Sequence, residues 1–170
     1  MMTRRNFGRV SLAALAGAAT GAALLGRSDA ASPGKFEIGK TKEEWRKILT
    51  PQQFYVLRQH GTEHPFTSPL DKNYAPGVYH CAGCDLPLYT SETKYDSRTG
   101  WPSFYASLDN AVGTAEDNLL FYTRTEVHCR RCGGHLGHIF PDGPPPTGKR
   151  HCINGVALKF VPKKDDKSQG

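Results

Sequence analysis

Five cysteines carry most of the chemistry available to this 170-residue chain, and four of them come in pairs. Cys81-Ala82-Gly83-Cys84 and Cys129-Arg130-Arg131-Cys132 are two C-x-x-C sets separated by 44 residues. Each set presents two thiolates toward one point, and four thiolates complete the tetrahedron that zinc prefers, with no position left open for catalysis. Gly83, Gly133 and Gly134 supply the backbone freedom that such tight turns require. The spacing therefore points to one structural zinc ion held by Cys81, Cys84, Cys129 and Cys132. A redox-active pair and two structural disulfides are the competing readings. No βαβ pattern surrounds either pair, and a disulfide closing a two-residue gap adds little stability.

Zinc leaves Cys152 alone, in the context Lys149-Arg150-His151-Cys152-Ile153-Asn154. Two permanent cations and an imidazole adjoin this thiol in sequence, and cationic neighbours stabilise a thiolate. An activated nucleophile is one expectation, and a buried strand cysteine serving as a small hydrophobe is the other. The stretch His135-Leu136-Gly137-His138-Ile139-Phe140-Pro141-Asp142 follows the second cysteine pair and gathers two imidazoles, an aromatic ring and a carboxylate. A loop clamped by metal would hold these groups rigidly for catalysis. The histidines could instead replace two cysteines as zinc ligands, or lie on the surface. Gly100-Trp101-Pro102-Ser103-Phe104 adds an indole that either packing or ligand binding would explain.

The elements that position these groups are legible in part. Thr41 with Glu44 forms a capping box, and Trp45, Ile48 and Leu49 fall on one helical face. Thr50-Pro51 starts a second helix with Gln53 as the reciprocal cap, Phe54 and Leu57 as apolar anchors, and Gly61 as the stop. From Gly77 onward the chain turns to short β-branched and aromatic runs: Val78–Cys81, Leu86–Thr90, Leu119–Thr125, Val127–Cys129 and Ile153–Val161. No helical stretch alternates with them, so antiparallel sheets are expected and a parallel α/β sheet is not.

Residues 1–30 read as an export signal. Arg4 and Arg5 precede an uncharged, Ala- and Gly-rich run of 17 residues from Val10 to Gly26, and Ser28-Asp29-Ala30 supplies small flanking residues. This pattern resembles a twin-arginine leader rather than a membrane anchor, which places the mature protein in the periplasm or outside the cell with no stable membrane attachment. Cleavage after Ala30 removes four cations and one anion, which lowers the formal charge from +6 to +3 and weakens the case for a nucleic-acid partner. A polar linker over 31–40, a domain over 41–162 and a solvated tail over 163–170 complete the expected organisation.

The two cysteine pairs, Gly100 to Phe104, His135 to Asp142 and Arg150 to Asn154, in this order, resemble the methionine-R-sulfoxide reductase family over roughly Thr41 to Pro162. The resemblance implies a mainly β fold of two antiparallel sheets, with short N-terminal helices packed against it and a structural zinc site of four cysteines. It implies an enzyme, an oxidoreductase that repairs oxidised proteins or peptides carrying methionine-R-sulfoxide. It also implies that Cys152 is the nucleophile, with His135, His138 and Asn154 as catalytic partners and Trp101, Phe140, Asp142 and Arg150 around the substrate. The rival reading from the same cysteines is a non-catalytic zinc-ribbon interaction module.

Many family members carry a resolving cysteine just before the Gly-Trp-Pro-Ser-Phe motif, where this chain has Thr99. With four thiols on zinc, a sulfenic acid on Cys152 would then have no internal partner. A thioredoxin-like protein or another external thiol is the expected reductant. His151 and Gly155 stand where the family commonly has an aromatic residue and a serine, and His151 could either lower the thiol pKa or fill the aromatic's space.

Overall fold

Two short helices open the part of the chain that the computed structural model describes, residues 36–118 and 122–164. The export signal expected over 1–30, the first half of the linker and tail residues 165–170 lie outside the described residues. Helix α1 spans Lys42–Ile48, and Thr41 and Glu44 cap each other reciprocally at its start. Trp45 and Leu49 are buried as the periodicity predicts, whereas Ile48 is 57% exposed. Helix α2 spans Pro51–Gln59, with Thr50 and Gln53 as its capping box and Pro51 in the first turn. It buries Phe54, Val56 and Leu57. The residue that ends it is His60 in the left-handed conformation (φ 55°), one place before the expected Gly61.

Nine strands follow among the described residues: β1 Gly77–Cys81, β2 Pro87–Thr90, β3 Lys94–Tyr95, β4 Ser103–Phe104, β5 Val112–Asp117, β6 Arg124–Cys129, β7 His135–Phe140, β8 Arg150–Ile153 and β9 Leu158–Pro162. They form two antiparallel sheets, β2-β1-β9 and β3-β4-β8-β7-β6-β5. Three expectations change. The run Ile153–Val161 is not one strand: a 3₁₀ turn at Gly155–Ala157 breaks it, so β8 and β9 enter different sheets. The expected strand Leu119–Thr125 is displaced, since β6 begins at Arg124 and absorbs Val127–Cys129, while 119–121 lie outside the described residues. The histidine-bearing stretch expected as a loop is strand β7, paired on both sides by β6 and β8.

The sheets meet through aromatic rings. Tyr89 of β2 stacks on Phe104 of β4 with centroids 4.4 Å apart, and Tyr79 of β1 meets the same ring edge-on at 5.0 Å. All three rings are fully buried, and Leu88, Val127, Leu136 and Ile153 continue the core around them. Helix α2 packs over β7, which carries His135 and His138, and over the 3₁₀ turn that follows β8. Among the described residues, no helix is long and apolar enough to cross a membrane.

Candidate active site

Strand β8 lies between β4 and β7, and its Cys152 faces Ser103 on one side and His138 on the other. Side chains directly opposite in an antiparallel pair have Cβ atoms about 5 Å apart, so thiol and imidazole share one face. The strands approach closely beside them: a Cβ on Gly137 would collide with the Cys152 carbonyl, so glycine is the residue that fits there. Cys152, His138, Gly137, Trp101, Phe140 and Asn154 line a cavity of about 130 Å³, together with Thr62 and Arg124.

His135 and His138 are three residues apart, a spacing that on a regular strand points side chains to opposite faces. The β6–β7 register resolves this. Val127 pairs with Gly137 but His128 pairs with His135, so Leu136 is an inserted residue, a β-bulge. The extra residue turns His135 to the side of His138, and their ring centroids lie 5.3 Å apart.

Each imidazole is held by its own carboxylate. His138 Nε2 lies 2.7 Å from Asp117 Oδ2, which also accepts a 2.6 Å bond from Arg124. Burial lowers the His138 pKa, and the bond to Asp117 only partly opposes this, so the ring is neutral at pH 7. His135, 2% exposed, places Nδ1 2.7 Å from Glu126 Oε1, and the same oxygen lies 3.1 Å from His60 Nδ1. Burial pushes the Glu126 carboxyl up, but the bonds to His135 and His60 outweigh it and keep it well below the usual carboxylate range. His135 Nε2 is buried with no hydrogen-bond partner among the described residues.

The thiol lies in a strand with burial and charge acting on it in opposite senses. Burial raises the Cys152 pKa above its ordinary value, although Arg150 and the Thr99 hydroxyl both favour the thiolate. The adjacent imidazole gives no help. Strand alternation turns His151 to the opposite face, where its Nδ1 lies 3.2 Å from the Tyr89 hydroxyl. Burial, with Lys149 nearby, pushes the His151 pKa down to about 4, so this ring is uncharged at neutral pH and fills core space. Thr99, Ser97 and Ser103 form a chain of hydroxyls linked at 2.8 and 2.7 Å, which runs beside the thiol.

The remaining expected site residues fall into two groups. Trp101, Phe140 and Asn154 line the cavity. Trp101 Nε1 donates to Glu63 O, and the Asn154 carboxamide donates to Leu136 O while accepting from Glu63 N, which leaves one amide N–H uncommitted. His135, Asp142 and Arg150 are not among the lining residues. Arg150 binds Asp142 through two 2.9 Å bonds and lays its guanidinium over the Phe140 ring at 4.4 Å, so this pair braces a wall of the cavity. Asp117, Glu126, His60, Thr62 and Arg124 went unrecognised in the sequence, because only strand register brings them to the site.

The four paired cysteines converge between the sheets, two from the end of β1 and two from the end of β6. Both turns repeat one hydrogen bond, from the fifth residue back to the first cysteine carbonyl, and that fifth residue is left-handed: Asp85 (φ 58°) and Gly133 (φ 65°). Gly83 does not take this role. Sulfur atoms of Cys81 and Cys132 are 3.8 Å apart, and those of Cys84 and Cys129 are 3.5 Å apart. Four sulfurs placed about 2.3 Å from one ion at tetrahedral angles would be about 3.8 Å apart, whereas a disulfide requires about 2.05 Å. The donor set and its spacing fit a closed tetrahedral metal site. Arg58 of α2 donates to Cys132 Sγ at 3.1 Å and to its carbonyl at 2.8 Å, and its guanidinium lies 3.6 Å from the Trp45 ring.

Comparison with known proteins gives these observations a relation. Residues 49–162 match the family described as "SelR domain". "Peptide methionine sulfoxide reductase MsrB" of Agrobacterium fabrum is 49% identical over 136 residues, covering 79% of this chain and 98% of that protein. The protein of the same name from Pseudomonas putida is 54% identical over 128 residues, covering 75% and 96%. "Methionine-R-sulfoxide reductase B2, mitochondrial" of Rattus norvegicus is 50% identical over 157 residues, covering 87% and 90%. Matched along most of its own length and nearly all of theirs, this chain belongs to the SelR family, that of the methionine-R-sulfoxide reductases.

Proposed function

We propose that this protein reduces the R epimer of methionine sulfoxide in peptides and proteins to methionine, by way of a sulfenic acid on Cys152 that an external thiol then reduces. The observation that carries this reading is the pairing of Cys152 with a neutral, carboxylate-bound His138 across β8 and β7, in a cavity walled by Trp101 and Phe140. His138 commits Nε2–H to Asp117, so Nδ1 is the nitrogen free to act as a base. It takes the proton of the buried thiol, and the resulting thiolate attacks the sulfoxide sulfur. The sulfur–sulfur bond made in that attack and the methionine S–O bond both break as the oxygen bonds to Cys152, whose sulfur has given the electron pair, and His138 returns its proton to that oxygen. The products are methionine and a sulfenic acid, with no atom gained or lost.

The departing oxygen needs donors, and the uncommitted Asn154 N–H is one; His135 gives Nδ1–H to Glu126, so its Nε2 donates to that oxygen only as the imidazolium. Trp101 and Phe140 offer apolar, polarizable walls to the methyl group. The mirror-image epimer would put oxygen on the indole and methyl among unsatisfied donors, which is the physical basis of stereoselectivity. Arg150 favours the thiolate, and its bond with Asp142 fixes the brace on Phe140.

Two external thiols return the sulfenic acid to the thiol, giving a disulfide between them and one water. A thioredoxin-like protein fits this chemistry, because Thr99 cannot form an internal disulfide and the other four thiols are assigned to metal. That metal is zinc, held by Cys81, Cys84, Cys129 and Cys132, and it acts as a staple between the sheets. The leader read in residues 1–30 would take the enzyme to the periplasm or beyond the cell. A purely binding module would have no use for the cavity around Cys152.

An epimer-resolved assay with dithiothreitol tests the whole reading. The wild type consumes only the R-sulfoxide, and Cys152→Ser loses turnover while keeping its fold and zinc. Activity in Cys152→Ser, or consumption of the S epimer instead, would overturn it.

A further inference from the structure

Among the described residues Phe66 is the most exposed large apolar side chain, at 68%. A single exposed hydrophobe needs no explanation. Its backbone does, because Phe66 sits at φ 64°, in the left-handed region that a bulky side chain enters only under constraint. The constraint is visible. Phe66 N donates to Gly100 O at 2.7 Å, and the ring lies on Gly100, where an added Cβ would come within 2.9 Å of the ring carbons. A second bond, from Trp101 Nε1 to Glu63 O at 3.1 Å, joins the same two segments three residues earlier.

These two bonds zip residues 63–66 alongside Gly100 and Trp101. The segment starts in the catalytic cavity, since Thr62 lines it beside Trp101, and it ends at an aromatic ring in solvent. The fold thus holds an unfavourable conformation at a ring that gains no core burial, and that ring, itself outside the cavity lining, lies on Gly100, the chain neighbour of the lining Trp101. A chain that lowers an oxidised methionine into the cavity has its next residue only about 3.8 Å further along the backbone, so a flanking side chain can reach a ring seated beside the cavity wall.

We infer that Phe66 is an outer subsite, a shelf for the apolar side chain of a residue that flanks the oxidised methionine in a peptide substrate. This rests on the reductase reading above and names the substrate class that the site prefers: oxidised methionines with aliphatic or aromatic neighbours. The shelf contributes to binding of the flanking residue and leaves the sulfoxide chemistry to Cys152 and its partners.

The test compares Phe66→Gly with wild type on two R-sulfoxides, using dithiothreitol as reductant. One is a pentapeptide with leucines on both sides of the oxidised methionine, and the other is N-acetylmethionine sulfoxide amide, which has no neighbours. Glycine tolerates the left-handed conformation, so the variant keeps its fold. The expected result is a roughly tenfold loss of kcat/KM on the pentapeptide, mostly through KM, with less than a twofold change on the blocked residue. Phe66→Leu should recover most of the loss. Equal losses on both substrates, or none on either, would overturn the shelf. A defect seen only when a thioredoxin-like protein replaces dithiothreitol would overturn it too and give the ring to reductant docking. A wild-type protein inactive on both sulfoxides would sink the reductase reading itself.

Discussion

Cys152 stands opposite His138 across the β8–β7 pair, and His138 turns its Nε2 to Asp117 at 2.7 Å. Thiol, imidazole and carboxylate thus come from three strands, β8, β7 and β5. In the proposed reaction the carboxylate would orient the ring and stabilise the imidazolium formed as the thiol gives up its proton. Asp117→Asn should therefore lower kcat by roughly a hundredfold with little change in KM. Asp117 opposes the downward effect of burial on the His138 pKa, so losing the charge moves that pKa lower still. The base must be unprotonated to act, and the acidic limb of the kcat/KM profile should shift to lower pH. An unchanged profile would show that Asp117 serves only the fold.

Arg58 links helix α2 to a metal-site sulfur while its guanidinium lies over Trp45 of α1. With zinc bound as proposed, its charge would offset part of the excess negative charge of four thiolates around one divalent ion, and partners of this kind typically shift metal affinity tenfold or more. Arg58→Ala should release zinc to a competing chelator roughly ten times faster than wild type, with Arg58→Lys between them. Metal release followed with a colorimetric zinc indicator reads this directly, independently of turnover. Equal release rates in all three proteins would leave Arg58 as a helix anchor only.

What the sequence disclosed divides by distance along the chain. Thr41 with Glu44 and Thr50 with Gln53 are contacts over three residues, and both capping boxes form as read. The paired cysteines are equally local within each turn. Strand β7 escaped because His, Leu, Gly, His has no clear β signature, and its strand character comes from pairing with β6 and β8. The carboxylates on His135 and His138 escaped for the same reason: Glu126 and Asp117 reach them only through strand register and a bulge at Leu136. His151 stood between two readings, help to the thiol or core filling, and the structure takes the second. Adjacency to Cys152 in sequence suggested electrostatic help, yet alternation along β8 puts the two side chains on opposite faces.

That buried ring makes a prediction about stability and pH. His151 has a folded pKa of about 4 against 6.5 for the free side chain, so between these values the unfolded chain binds the proton more readily. The stability this site contributes is full above pH 6.5 and is lost as pH falls toward 4. His151→Phe removes the titrating group while filling similar space beside Tyr89. After a discount for residual solvent screening, the variant should avoid a loss on the order of 2 kcal/mol between pH 7 and 4 that the wild type suffers. Thermal melts of both proteins across that range measure the difference, and parallel curves would mean that the ring is not held neutral.

Thr99 offers the sharpest test of the regeneration step, because its hydroxyl bonds to the Cys152 sulfur and so marks a position from which a side chain reaches it. A thiol at this position would lie within reach of the sulfenic sulfur, which is more electrophilic than a thiol. In Thr99→Cys, one turnover with excess R-sulfoxide should leave an intramolecular disulfide, detected as the loss of two hydrogens from the reduced mass and the failure of a sulfenate-capturing dione to label Cys152. Wild type under the same conditions should yield one methionine per chain and a labelled Cys152. A second methionine from wild type without added reductant would mean that two metal-site cysteines reduce the sulfenic acid in turn, ending as a disulfide between themselves with Cys152 free again. The zinc would then have to leave during the cycle, and its release on substrate addition would be measurable.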